Sequence, residues 1–413
     1  LKYAVDPDLK KIIPLRNLRK SQMPSSLELV LPRKSNPNPI SPSKYTQIIC
    51  WTSTFDSLER KKATHSKNRR QRPGTSLPVK SRARSANGFR PNKTRPAKRP
   101  CSLAGIKTYA PYIFTNLGKE GHEGPANARG YLGTTLEGQV TLNAGIQMWQ
   151  VPYTGTYIIE SRGAAGANGT FLNISGNGFT GTLKRGGLGA KISGKFWLTH
   201  GTLLKILVGQ RGMIGTYGCR RGHIHKQLFF RAGGGGGGSF VTYVNNTPLV
   251  IAGGGGGGGS SCCGACVGIA DKSDGDSGQL GVLGSRCNST VGNGGMLCSN
   301  EKGYTTEAGS GAGLLGNGSS SLKWSIRPAR CFVDGGTGGT AGGRPSGDGG
   351  FGGGGGHGYA HGGGGGGYTG GGVWANDTSG IAGGGGSFNH GFDKKSGYGD
   401  ALEHGLVKIV FLG

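Results

Sequence analysis

The chain holds 413 residues, 89 of them glycine, and carries a formal net charge of +28. Glycine at that density, against a usual share of about 7%, excludes an ordinary helical protein. The length allows one large or two medium domains, and no apolar run approaches the ~20 residues of a membrane-spanning helix.

Two materials meet near Ile106. Residues 1–105 hold 24 of the 48 Lys and Arg but only 5 of the 20 Asp and Glu, and only three glycines, Gly74, Gly88 and Gly105. The densest part is "ERKKATHSKNRRQRPGTSLPVKSRARSANGFRPNKTRPAKRP", Glu59 to Pro100. It has neither a helical nor an alternating apolar period. It cannot bury enough apolar surface to offset its ordering entropy, so it reads as a disordered basic tail. Such a tail suits a heparin-like polyanion. Nucleic acid is disfavoured, because Phe89 alone offers a stacking surface there. The chain opens on Leu1, and the apolar run after Met23, "PSSLELVLPRKS", is too short for a signal-peptide core. That opening reads as a fragment or an imperfect gene model.

From residue 106 onward, short β-type segments follow one another. They are "GIQMWQVP" (Gly145–Pro152), "GTYIIESRGA" (Gly155–Ala164), "AKISGKFWL" (Ala190–Leu198) and "LLKILVG" (Leu203–Gly209). Next comes "FVTYVNNTPLVIA" (Phe240–Ala252), with a hairpin turn at Asn245-Asn246 and Pro248 placing its second strand at an edge. The last segment is "LVKIVFL" (Leu406–Leu412). Short strands with turn residues between them predict a β-sandwich.

Glycine runs interrupt this pattern at Gly233–Gly238, Gly253–Gly259, Gly352–Gly356, Gly362–Gly367 and Gly383–Gly386. Helix is excluded, because each glycine costs about 1 kcal/mol relative to alanine. A packed strand is poor as well, since glycine has no side chain to pack. Polyproline-II-type rods remain, with three residues per turn and ~3.1 Å rise. Without side chains such rods can approach until their backbones bond to one another. The expectation is a mainly β domain over residues 106–413, with strands at about 145–252 and 406–412 and an inserted polyglycine-II helix bundle at about 231–390.

Cys219, Cys262, Cys263, Cys266, Cys287, Cys298 and Cys331 fall in this part, and Cys50 and Cys101 in the tail. In a loop-rich extracellular fold they are disulfide candidates. Cys263-Gly-Ala-Cys266 has the spacing of half a zinc ribbon, but no second such pair accompanies it, so no metal site is assigned. His357, His361, His390 and His404 read as exposed loop histidines. Glycosylation sequons stand at Asn92, Asn168, Asn173, Asn245, Asn288, Asn317 and Asn376, with Asn245 the best placed, at a hairpin tip. Phosphate-loop patterns arise trivially in polyglycine, and none carries the Gly-Lys-Ser/Thr of a nucleotide loop. No catalytic grouping rises above composition, so no catalytic, cofactor-binding or metal residue is assigned.

The run "GIQMWQVPYTGTYIIESRGAAGANG" (Gly145–Gly169) resembles the start of the glycine-rich extracellular region of the anaplastic lymphoma kinase and leukocyte tyrosine kinase receptors. "LLKILVGQRG" (Leu203–Gly212), the hairpin between glycine runs and "GGFGGGGGHGYAHGGGGGGYTGGG" (Gly349–Gly372) resemble it in the same order. The resemblance extends from about Tyr112 to the C-terminus. It implies a tumour-necrosis-factor-like β-sandwich with glycine helices inserted, displayed outside the cell or on the outer side of its membrane. It further implies a cytokine-like protein ligand and a receptor dimer. The family's kinase signatures, H-R-D and D-F-G, do not occur in this chain, so ATP enters only if a kinase domain follows in the full-length protein. The family's growth-factor-like cysteine module is missing too. Where the family carries an acidic stretch, this chain has "FNHGFDKKSGYGDALEHG" (Phe388–Gly405), which leaves Asp393, Asp400 and Glu403 as ligand-contact candidates. The rival reading is a secreted stand-alone structural or matrix protein. An RNA-binding reading fails because Arg185-Gly186-Gly187 does not recur.

Overall fold

The computed structural model describes residues 3–5, 12–14 and 109–413, apart from 176–177, 216–231, 261–273, 300–305, 322–324, 342–346, 359, 377–378 and 400–402. The chain divides into two compact units, Leu1–Pro96 and Ala97–Gly413. In the first, β1 (Tyr3–Val5) pairs antiparallel with β2 (Ile12–Pro14), a hairpin absent from the sequence expectation. The rest of the expected tail lies outside the described residues, as do Cys50, Cys101 and Asn92.

The second unit is mainly β. Its strands are β3 (Tyr112–Phe114), β4 (Val140–Asn143), β5 (Ile146–Gln150), β6 (Gly155–Arg162), β7 (Gly169–Ser175) and β8 (Gly178–Lys184). Then come β9 (Ala190–Leu198), β10 (Leu203–Leu207), β11 (Ser239–Tyr243), β12 (Pro248–Ala252) and β13 (Leu297–Ser299). The chain closes with β14 (Val373–Asn376), β15 (Ser379–Ala382), β16 (Phe388–Asn389), β17 (Phe392–Tyr398) and β18 (Leu406–Phe411). Among the described residues the helical content is two single 3-10 turns, Arg129–Tyr131 and Phe332–Asp334.

Two antiparallel sheets make the body, in the orders β17-β9-β6-β18-β3 and β16-β12-β11-β10-β5-β4. Sequence alternation decides their facing. Along β6 and β9 every second residue is buried, so Tyr157, Ile159, Ile192 and Phe196 point inward. They meet Trp149, Leu204, Ile206, Val241 and Val250 of the other sheet in one apolar core. The six-stranded sheet is covered on its second face too. Ile146, Leu207, Phe240 and Ile251 pack there against Leu314, Phe332 and Phe351. Phe240 and Phe332 stack at 4.9 Å between ring centroids. This double burial explains why β11 is buried at four of its five positions and lacks alternation. Smaller sheets, β7-β8 and β13-β14-β15, stand beside the body.

The glycine runs are neither strand nor α-helix, and their backbone groups bond from run to run. Gly236 N donates to Gly255 O (2.8 Å), Gly254 N to Gly366 O (2.7 Å) and Gly366 N to Gly236 O (2.9 Å). Three residues along, Gly233 N donates to Gly258 O (2.8 Å), Gly257 N to Gly363 O (2.8 Å) and Gly363 N to Gly233 O (3.0 Å). The pattern therefore repeats with a period of three. Further bonds join this trio to the other runs, as from Gly235 N to Gly355 O (2.9 Å) and from Gly385 N to Gly254 O (2.9 Å). The space a side chain would need is filled by backbone: a Cβ on Gly255 would overlap the carbonyl of Gly187, and one on Gly236 that of Ala164.

The expected strands appear within a residue or two of their sequence bounds. Pro248 starts β12, but β12 is not the sheet edge, because β16 pairs with it at Val250 and Ile251. The β16 pairing stops short of Pro248, which faces Thr242 of β11 at a register shift. The stretch Phe388–Gly405 holds two unforeseen strands, β16 and β17. Its residues Phe392 to Tyr398 show no clean alternation, because β17 is an edge strand exposed along most of its length.

Candidate recognition surface

Three pieces converge at one end of the sandwich: the close of β9, the β11–β12 hairpin and the β16–β17 connection. The hairpin tip is set by asparagines. Asn246 adopts a φ of 67°, a left-handed conformation asparagine tolerates, and its Oδ1 accepts from Lys205 Nζ at 2.8 Å. Asn245 Oδ1 accepts from Thr247 N at 3.0 Å. The β16–β17 connection is pinned by Asn389, whose Nδ2 donates to Ser193 O (2.8 Å) and whose Oδ1 accepts from Gly391 N (2.9 Å). Gly391 lets the backbone pass against Phe196, whose ring would collide with any Cβ there.

Between these pieces lies a mainly apolar groove of about 460 Å³, walled in part by Trp197, Tyr243, Leu249 and Phe392. Trp197 is 65% exposed and Phe392 54%, large values for aromatics. Trp197 occupies an outward position of β9, where alternation otherwise places Lys191, Ser193 and Lys195. That break in "AKISGKFWL" was visible in the sequence and was not used. Phe388 continues the apolar rim, stacked on Tyr368 at 4.7 Å.

The acidic candidates are not gathered. Asp393 sits beside the groove at a register shift of β17, with a φ of 50°, and its Oδ2 lies 2.6 Å from Lys195 Nζ. Its charge is thus already answered. Glu403 is exposed near the glycine runs, its carbonyl accepting from Ala165 N at 2.9 Å. The adjacent His404 accepts from Arg211 N (3.1 Å) through Nδ1 and meets Glu120 Oε1 at 3.3 Å through Nε2. Asp400 lies outside the described residues.

Two of the four histidines depart from the expected exposure: His357 and His361 are 5% and 7% exposed. The glycine runs around them leave room for imidazole rings where their own side chains are absent. His361 Nδ1 accepts from Glu307 N at 2.9 Å. Among the described residues no group of three or more His, Cys, Asp or Glu is placed to hold a metal ion.

Cys287 and Cys298 form a disulfide, with their Cα atoms 5.7 Å apart. Cys331, counted among the disulfide candidates, is instead a free, buried thiol beside Ala312 and Ala329, and its burial pushes its pKa up. Cys219, Cys262, Cys263 and Cys266 lie outside the described residues. Of the sequons, Asn245 and Asn288 are exposed. Asn168 is half-buried and accepts from Gly186 N at 2.9 Å. Asn317 is exposed but engaged at both polar atoms, with Cys331 N (2.8 Å) and Asp334 Oδ2 (3.3 Å). Asn173 and Asn376 lie on β7 and β14, and the structure does not describe their side chains.

No family model matches the chain. Over 130 residues, 30% of its length, it is 34% identical to the leukocyte tyrosine kinase receptor of Mus musculus, and the matched stretch covers 13% of that receptor. This is a partial likeness to a region of a receptor tyrosine kinase. No helix among the described residues is long and apolar enough to cross a membrane.

Proposed function

We propose that residues 106–413 are the extracellular, ligand-binding glycine-rich region of a receptor of the leukocyte and anaplastic lymphoma tyrosine kinase type. The kinase would lie elsewhere in the parent protein, and ATP with it. The observation that carries this reading is the likeness to the mouse receptor, in a chain whose antiparallel sheets alternate with backbone-bonded glycine runs.

On this reading the two large sheets are a tumour-necrosis-factor-like sandwich. The glycine runs are polyglycine-II-type rods, a description supported by bonds that recur every three residues. Rods bonded on several sides are stiff, so they act as a support that holds the loops between them. Recognition belongs to the sandwich, because strands carry side chains whereas polyglycine offers mostly backbone. The groove at Trp197 and Phe392, beside Asp393, is the surface we assign to a cytokine-like protein. Lys195 answers Asp393, so steering of a basic ligand is weak, and the partner is less basic than the cytokines such receptors usually take. Receptor dimerisation and display outside the cell come with the same reading. The disulfide between Cys287 and Cys298 suits that compartment.

A chimaera tests this. The full chain is fused to the membrane span and kinase of the mouse receptor, and autophosphorylation is measured on adding a panel of secreted cytokines. A cytokine-dependent response that Trp197→Ser and Phe392→Ser abolish supports the assignment. Silence towards every cytokine, while the intact mouse receptor responds, sinks it.

A further inference from the structure

The five-stranded sheet has a face that the rest of the described domain leaves uncovered. Its inner residues fill the core, whereas the outer positions of β6, β9 and β18 are all partly or fully accessible. Strand register arranges these outer positions in rows. One row runs Leu406, Arg162, Lys191; the next runs Lys408, Glu160, Ser193, Lys395; a third runs Val410, Ile158, Lys195, Phe392. Rows are about 7 Å apart and strands about 4.8 Å.

Cations outnumber carboxylates on this face. Glu160 lies 2.8 Å from Arg162 and 3.6 Å from Lys191, and Asp393 answers Lys195. Lys395 and Lys408 have no carboxylate within ion-pair distance among the described residues. Beyond the third row stands Trp197, paired in register with Thr156. The face thus combines two uncompensated cations in one row, carboxylates set among paired cations, and an exposed indole at its end.

We propose that this face binds a sulfated polysaccharide. Lys395 and Lys408 take sulfate groups. Glu160 accepts from sugar hydroxyls that lie between the sulfates, and Trp197 stacks on the apolar side of a pyranose ring. The interspersed carboxylates select against DNA, whose phosphates repeat without hydroxyl groups between them. The residues named all belong to the second unit, and Trp197 is shared with the groove assigned above to a protein ligand.

The test uses the full chain with a heparin-derived oligosaccharide as probe. Lysine acetylation is mapped by mass spectrometry with and without the probe. Lys395 and Lys408 become protected if the face is the site. Affinity is then measured against salt for the double variant Lys395→Ser, Lys408→Ser. Lys395 is exposed and Lys408 half-buried, and neither holds an ion pair, so the melting temperature stays in place. We expect binding about tenfold weaker, with a log–log salt slope shallower by roughly 1.5. Trp197→Ala should weaken binding severalfold without changing that slope. Two lysines acetylated equally with and without the probe overturn the proposal, as does a double variant that binds like the wild type. Single-stranded DNA of equal charge bound as tightly as the oligosaccharide overturns the assignment to a sulfated sugar.

Discussion

The amide of Gly236 donates to the carbonyl of Gly255 at 2.8 Å, and Gly233 repeats the bond to Gly258, each three residues along its own run. The runs are antiparallel to one another in this contact, since one index falls as the other rises. Backbones brought this close leave no room for side chains. Glycine is therefore required here for space, whatever its torsional freedom.

Replacing Gly255 with alanine should destabilise the domain by at least about 3 kcal/mol, because the new Cβ meets the Gly187 carbonyl, which its own bonds hold in place. Valine should abolish secretion of folded protein. Gly397→Ala is the control, since nothing lies within 4 Å of the position its Cβ would take. Thermal melts of the wild type and the two alanine variants, with the secreted yield of the valine variant, check this, and equal melting temperatures would refute the close-packed account.

Alkaline pH should unfold the sandwich. Burial pushes Tyr157 up to about 12 and raises Tyr131 and Tyr112 above 10.0 as well. A folded-state value above the unfolded one means that the fold favours the protonated phenol. That contribution is complete below pH 10.0 and is lost as pH climbs to about 12. Tyr157→Phe should flatten the loss. It should also cost about 1 kcal/mol at neutral pH, through the missing 2.7 Å bond to Tyr153 O. Urea unfolding at pH 7, 10 and 11 reads both effects.

Sequon occupancy should follow local structure. In a secretory host, exposed Asn245 and Asn288 are expected to carry glycans, whereas half-buried Asn168, and Asn317 with its Nδ2 bonded to Asp334, stay bare. Enzymatic release in isotopically heavy water followed by peptide mass spectrometry gives the answer. Full occupancy at Asn168 would show that its partial burial does not keep glycan transfer from the site.

The bond between Cys287 and Cys298 closes a loop of sequence separation 11. Loop-closure entropy assigns such a link about 3 kcal/mol. Cys287→Ser with Cys298→Ser should lower stability by about that amount, and Cys331→Ser by less than the pair. Non-reducing peptide maps should find Cys331 alkylatable after denaturation without a reductant.

Much of the sandwich was legible in advance. "AKISGKFWL" alternates cleanly enough that β9 carries the expected bounds, Ala190–Leu198. Strand β11 was also found, although its two-sided burial hid its alternation, because the Asn245-Asn246 turn marked its end. Strands β16 and β17 were missed. Phe388–Asn389 is too short to show a period, and β17 is an edge whose accessible residues obey no inside–outside rule. The acidic candidates were named from a resemblance in position. Their pairing was not readable, since Asp393 finds Lys195 only through the register of β17 on β9.

The amino-acid sequence by itself determined that the domain is built of short strands and that the glycine runs cannot be helix. Those outcomes follow from local causes: alternation, turn residues and the entropy of glycine. Only the tertiary structure decided which run bonds to which. A row of identical residues without side chains carries no register, so the alignment of Gly236 with Gly255 and Gly366 is imposed from outside. Strands β11 and β12, paired across the sheet, continue directly from Gly233–Gly238 and into Gly253–Gly259, and they set where those runs start. The same holds for the open face. Lys408, Glu160, Ser193 and Lys395 share one row only because β18, β6, β9 and β17 pair in that order.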